Sequence, residues 1–267
     1  DLAYQDYSAL DRPEVLHRLF HPRPEWRGAM TSTPARDELI TVDTDVVVGA
    51  RFHTSAPAGP NILFFHGNGE IVADYDDLGP VYNRLGINFL AVDYRGYGRS
   101  TGKPTVTHMM RDCHVIFAHV RSWLQINGYH GPVLIMGRSL GSASALELAA
   151  VHPAQVDGLI IESGFAFPGP LLKRLGIDLA AVGLKEGEGL TNLDKIRDFH
   201  KSVLIIHAEH DQIIPFSDAL ALYDACPAKD KTLLKIPNAG HNDIFSQGLT
   251  QYLAAIKAFS GRLGSDP

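Results

Sequence analysis

Short runs rich in β-branched and aromatic residues alternate with longer stretches of helical periodicity along most of the chain. The runs NILFFHG, INFLAVDYRG, PVLIMG, VDGLIIESG, SVLIIHAEHD and TLLKIPNAGH each read as a strand that ends in polar residues or glycine. Near-continuous apolar runs suit strands covered on both faces, which predicts a mostly parallel sheet with helices on either side. Residues 38–53, ELITVDTDVVVGARFH, read as two strands joined by a tight turn, an antiparallel start that brings the count to eight strands. Helical patterns are expected at about residues 75–85, 108–126, 139–151, 216–225 and 244–259. One connection breaks the rhythm, residues 163–197, and long irregular connections of this kind often carry function.

At 267 residues and 45% hydrophobic, the chain can bury roughly three quarters of its unfolded surface around one core. It is read as a single domain over 1–267, with 1–37 as an N-terminal extension and 163–197 as a small cap insertion. The formal charge is −6 and the basic residues are scattered, so the chain lacks the basic stripe of a nucleic-acid binder. No apolar run reaches the roughly 18 residues of a membrane span. Cys113 and Cys226 are expected to be free thiols, which points weakly to the cytoplasm. The sequence starts at Asp1 without an initiator methionine, leaving room for a removed leader or anchor.

Strands of an open α/β sheet present their sites at their C-terminal ends, and the polar clusters lie there. In GRSLG, Gly137 and Gly141 flank Ser139 between a strand and a helix, the pattern of a nucleophile on a sharp turn. A plain tight turn would use the same glycines, but the strand before and the helix after are what the nucleophile reading requires. A serine hydroxyl needs a base. His241, on the loop after the last strand, is the candidate, and Asp211, after SVLIIHAEH, is the carboxylate expected to orient it. Glu162 is the rival acid, otherwise expected to hydrogen-bond beneath the site, and Asp243 is expected to cap the final helix. Backbone donors for an oxyanion are expected at Leu140 and at Asn68, where Gly67 gives the loop its freedom. A dinucleotide fingerprint in DYRGYGRSTG fails on glycine spacing. A metal set of His207, His210 and Asp211 lacks a ligand pattern.

Taken in order, FFHGNGE, DYRGYGRSTG, GRSLGS, HAEHDQIIP and GHNDIF resemble the α/β-hydrolase superfamily of serine hydrolases, over nearly the whole chain from about residue 38. More narrowly, HGN, GRSLG and GHND resemble the compact group that includes α/β-hydrolase-domain depalmitoylating enzymes and bacterial relatives. The resemblance implies the α/β-hydrolase fold, Ser139 as nucleophile, His241 as base and Asp211 as acid, with Asn68 and Leu140 as main-chain donors. It implies a small-molecule or acyl ester substrate and neither cofactor nor metal. It does not choose among ester, thioester and amide. HGN in place of the HGGG of larger lipases, and a cap of only modest size, leave the substrate open. Within that cap Phe165, Phe167 and Leu171 are expected to line an acyl pocket, with simple packing of a short helix as the alternative.

Overall fold

The computed structural model describes residues 5–26, 35–185 and 189–263. Strand β1 (Arg36–Asp43) alternates exposed and buried positions, as an edge strand does, and pairs antiparallel with β2 (Val46–His53) across a two-residue turn. From there the strands are β3 (Asn61–Phe65), β4 (Asn88–Val92), β5 (Val133–Arg138), β6 (Gly158–Glu162), β7 (Ser202–Ala208) and β8 (Lys231–Ile236). They form one sheet in the order β1-β2-β4-β3-β5-β6-β7-β8, parallel from β4 through β8. The expected eight-stranded, mostly parallel sheet is present.

Alternation along each central strand divides the core into two layers. In β3, Leu63 and Phe65 face one layer while Ile62 and Phe64 face the other. The first layer holds α3 (Val106–Ile126), α4 (Gly141–Val151) and α7 (Phe216–Ala225); the second holds α2 (Gly79–Arg84) and α8 (Ile244–Leu263). All five residues of β3, β4 and β6 are buried, which explains why those runs carry no polar alternation.

Several helices begin elsewhere than their periodicity suggests. The helix expected at 75–85 is a 3-10 turn, Val72–Tyr75, followed by α2, because Pro80 belongs in a first helical turn and would break an interior. α3 starts two residues early, where the Thr105 hydroxyl accepts from the His108 N–H and caps it. α4 starts at Gly141, leaving Ser139 on the turn before it. α8 runs on to Leu263 but is broken at Gly248, whose φ of −147° is not helical.

The N-terminal extension contributes α1 (Pro13–Leu19), and the insertion contributes α5 (Pro168–Arg174) and α6 (Asn192–Arg197). Val15, Leu19 and Phe20 of the extension share the first core layer with Leu172, Ile177 and Leu179 of the insertion. Two segments far apart in sequence therefore roof the C-terminal edge of the sheet together.

Candidate active site

Ser139 follows the last residue of β5 and takes a φ of +50°. In a residue with a Cβ that conformation costs about 1–3 kcal/mol and persists only when its surroundings impose it. Here the Ser139 N–H donates to the Glu162 carbonyl of β6 at 2.9 Å, and the Ser142 N–H and hydroxyl both donate to the Ser139 carbonyl. The glycines make the turn sterically feasible: a Cβ on Gly137 would stand 2.3 Å from the Gly141 carbonyl oxygen, and one on Gly141 2.1 Å from that of Phe65. The strand, turn and helix thus close tightly enough to leave the Ser139 side chain half-exposed above the sheet.

β7 and β8 deliver the other two groups on the loops that follow them. His241 Nδ1 lies 2.6 Å from Asp211 Oδ2, and His241 Nε2 lies 3.0 Å from Ser139 Oγ. A carboxylate can only accept, so Nδ1 carries the proton and Nε2 is left to accept from the serine hydroxyl. Asp211 is held in turn by the Ile213 and Ile214 N–H groups, both donating to Oδ1. Burial alone would raise its pKa, but the hydrogen bond from His241, with the Ile214 N–H, outweighs burial and holds the carboxyl below its usual range. The structure therefore brings Ser139, His241 and Asp211 together in that order.

The rival acid lies elsewhere. Glu162 accepts from Arg138 at 3.0 Å and from the Tyr252 hydroxyl at 2.8 Å, with neither oxygen paired to the His241 ring. Burial raises its pKa against the opposing pull of Arg138. Asp243 differs from its expected role: its carboxylate accepts from the Gly240 N–H and closes the loop carrying His241, while its backbone carbonyl accepts from Gln247 in α8. His210 is exposed and faces Glu209, whereas His207 is buried and bonded to the Ile214 carbonyl, so the two do not converge. Among the described residues no cluster of three or more His, Cys, Asp or Glu could hold a metal ion.

The GRSLG pattern assigns no role to Arg138. Its buried guanidinium donates to Glu70 (2.9 Å), Glu162 (3.0 Å) and the His241 carbonyl (3.0 Å), joining the loops after β3 and β8 to β6. Burial would lower its pKa, but Glu162 and Glu70 outweigh this and keep it charged. A charge closing an otherwise apolar strand was the only signal available. Glu70 also accepts from the Gly67 N–H and the Tyr75 hydroxyl, which shapes the HGNGE loop around Ser139.

The Asn68 and Leu140 backbone N–H groups have no hydrogen-bond partner among the described residues, and both residues line the cavity that contains Ser139 and His241. That cavity has a volume of about 200 Å³. Asn68, Glu70, Arg138 and Asn242 make it polar on one part of its lining; Leu19, Leu140, Leu171, Leu175 and Ile213 make it apolar on another. Of the three cap residues expected there, only Leu171 lines it. Phe165 is 0% exposed, packed into the first core layer where the chain turns inward and its carbonyl accepts from Asn192. Phe167 stands 41% exposed just before α5. Leu175, one turn beyond Leu171, and Leu19, from the extension, occupy the wall instead.

Cys113 and Cys226 are free and buried. Among the described residues no helix is long and apolar enough to cross a membrane.

Residues 56–185 match a family described as "Serine aminopeptidase, S33". The chain is 33% identical over 209 residues to α/β-hydrolase domain-containing protein 17B of Homo sapiens, covering 74% of this chain and 65% of that protein. It is 30% identical over 246 residues to protein 17C of Mus musculus, covering 89% and 71% respectively. The chain thus spans just under two thirds of the length of the 17B relatives. Among solved structures, the Pyrococcus furiosus esterase Pf2001 superposes with a TM-score of 0.71 at 17% identity, over 92% of this chain and all of that one. A soluble variant of monoglyceride lipase from Saccharomyces cerevisiae, in complex with a substrate analog, gives 0.68 at 18%, over 88% and 97%. These last two likenesses speak for the fold.

Proposed function

The chain belongs to the α/β-hydrolase family of the domain-containing proteins 17B and 17C, and from that premise we propose that it is a serine hydrolase cleaving a carboxylic ester or thioester through an acyl-enzyme. The observation that carries this reading is the continuous contact from Ser139 Oγ to His241 Nε2 and from His241 Nδ1 to Asp211, at the edge of a partly apolar cavity. Ser139 Oγ attacks the acyl carbon while its proton passes to His241 Nε2. Asp211 stabilises the imidazolium so formed without taking its proton. The carbonyl oxygen becomes an oxyanion facing the Asn68 and Leu140 N–H groups, each worth about 3–4 kcal/mol to the transition state. His241 then protonates the leaving alcohol or thiol, and water repeats the sequence to release the acid.

Pre-organisation supports the same reading. Arg138 fixes the His241 loop and the Ser139 turn is already strained into place, so little reorganises during the reaction. The test is covalent labelling with a fluorophosphonate, followed by turnover of p-nitrophenyl esters and acyl thioesters. Labelling that disappears in Ser139→Ala, with ester turnover lost, is expected; labelling of that variant at the wild-type rate removes Ser139 from the mechanism. Turnover confined to aminoacyl amides would reassign the scissile bond while keeping the triad.

A further inference from the structure

We propose that Leu19, carried by the N-terminal extension rather than the cap, is a specificity-determining wall of the acyl cleft that limits acyl-chain length; the inference rests on the serine-hydrolase reading above. Leu19 ends α1 and lines the cavity of Ser139 together with Leu171 and Leu175 of the cap. The two segments are tied at this point, because Arg18 donates to the Leu175 carbonyl at 2.9 Å. The wall is therefore shared between a helix that precedes the whole sheet and one that follows β6.

Leu19 is also poorly placed to move aside. It is only 3% exposed, and the segment after it is fastened to the loop that carries Asn68. The His21 N–H donates to Asn68 Oδ1 at 2.9 Å, where the Tyr97 hydroxyl also donates, and Arg23 Nε donates to the Gly69 carbonyl at 2.8 Å. Further on, the Gly98 N–H donates to the Arg23 carbonyl, and the buried Arg51 holds Glu25 at 2.7 Å. A side chain fixed from both sides acts as a steric stop rather than a flap. The cavity it bounds, about 200 Å³, is smaller than the roughly 300–1,000 Å³ of sites that enclose larger ligands. An acyl chain directed at Leu19 meets packed protein, so methylenes beyond that wall must displace it or turn toward the open mouth of the cleft.

The experiment compares kcat/KM for p-nitrophenyl octanoate and p-nitrophenyl acetate in the wild type, Leu19→Ala and Leu19→Trp, with fluorophosphonate labelling to verify an intact site. Each methylene newly accommodated contributes about fourfold, so Leu19→Ala is expected to raise the octanoate-to-acetate ratio by about tenfold or more. Leu19→Trp is expected to lower it by about fivefold or more. A general loss of packing would depress both esters and would not move the ratio in opposite directions. If Leu19→Trp does not label, Leu19→Val carries the test, with a smaller rise, about twofold to fourfold, expected. An unchanged ratio in the labelled variants overturns the wall while leaving the hydrolase reading intact. Absence of both labelling and ester turnover in the wild type overturns the hydrolase reading, and the wall with it.

Discussion

Arg138, the residue before Ser139, donates to the backbone carbonyl of His241 at 3.0 Å, so Ser139 and His241 are tied through a group that belongs to neither. The same guanidinium binds Glu70 and Glu162, and removing it outright would strand two carboxylates in the interior. Arg138→Lys keeps the charge but cannot reach all three partners. It is expected to lower kcat by about 10²-fold through loss of His241 placement, with KM within about twofold. Steady-state kinetics read that split; a change confined to KM would show that Arg138 serves substrate binding instead.

Asp211 and Glu162 are separated by their partners, the His241 ring for one and Arg138 with Tyr252 for the other. Asp211→Asn is expected to cut kcat by up to about 10⁴, since an amide cannot hold the His241 tautomer. Glu162→Gln, bonded to Arg138 and Tyr252, is expected to act chiefly on stability. Kinetics beside urea denaturation decide it, and a larger kcat loss in folded Glu162→Gln would reverse the assignment.

Phe165 and Phe167 are expected to diverge for reasons unrelated to substrate. Phe165 is fully enclosed, so Phe165→Ala should cost about 3–5 kcal/mol of folding stability. Phe167, 41% exposed, should cost much less, about 1 kcal/mol or under. Urea midpoints measure both, and neither variant should move acyl-chain preference in the protein that remains folded.

Stability should fall with acid through His53. Burial, reinforced by Arg51, lowers its pKa from 6.5 to about 4. Between those values the unfolded chain takes up a proton that the folded protein refuses, so stability is full above about pH 6.5 and is lost as pH falls towards 4. The ceiling is about 3 kcal/mol. The ring is packed against Gly79, where even a Cβ would come within 2.2 Å of it. Urea midpoints from pH 7 to 4.5 should decline more steeply in the wild type than in His53→Gln. Parallel slopes would assign the acid sensitivity to other groups.

What the sequence made legible follows from how local each signal is. The sheet and the turn around Ser139 are written in short patterns: apolar runs, and two glycines at a spacing that steric closeness demands. His241 and Asp211 were approachable because the strands before them are recognisable and both residues follow those strands closely. The cavity wall had no such signal. Leu19, at the end of α1, and Leu175, in the turn that closes α5, are ordinary leucines whose place on the cavity depends on how α1 and α5 meet, a long-range relation that periodicity does not encode. The same holds for Phe165, which looked available in a loop and is buried because the chain turns inward. Arg138 was hidden by convention, since a charge at the end of an apolar strand is ordinarily taken to reach solvent.

From β5 onward the sheet grows outward in the order of the chain, β5, β6, β7, β8, each strand laid against the one before. Ser139 arrives with β5, Asp211 after β7 and His241 only after β8. A nascent chain that has emerged only through β6 holds Ser139 but neither Asp211 nor His241. Because synthesis runs from the N-terminus, the three side chains of the proposed triad can meet only after the loop following β8 has emerged.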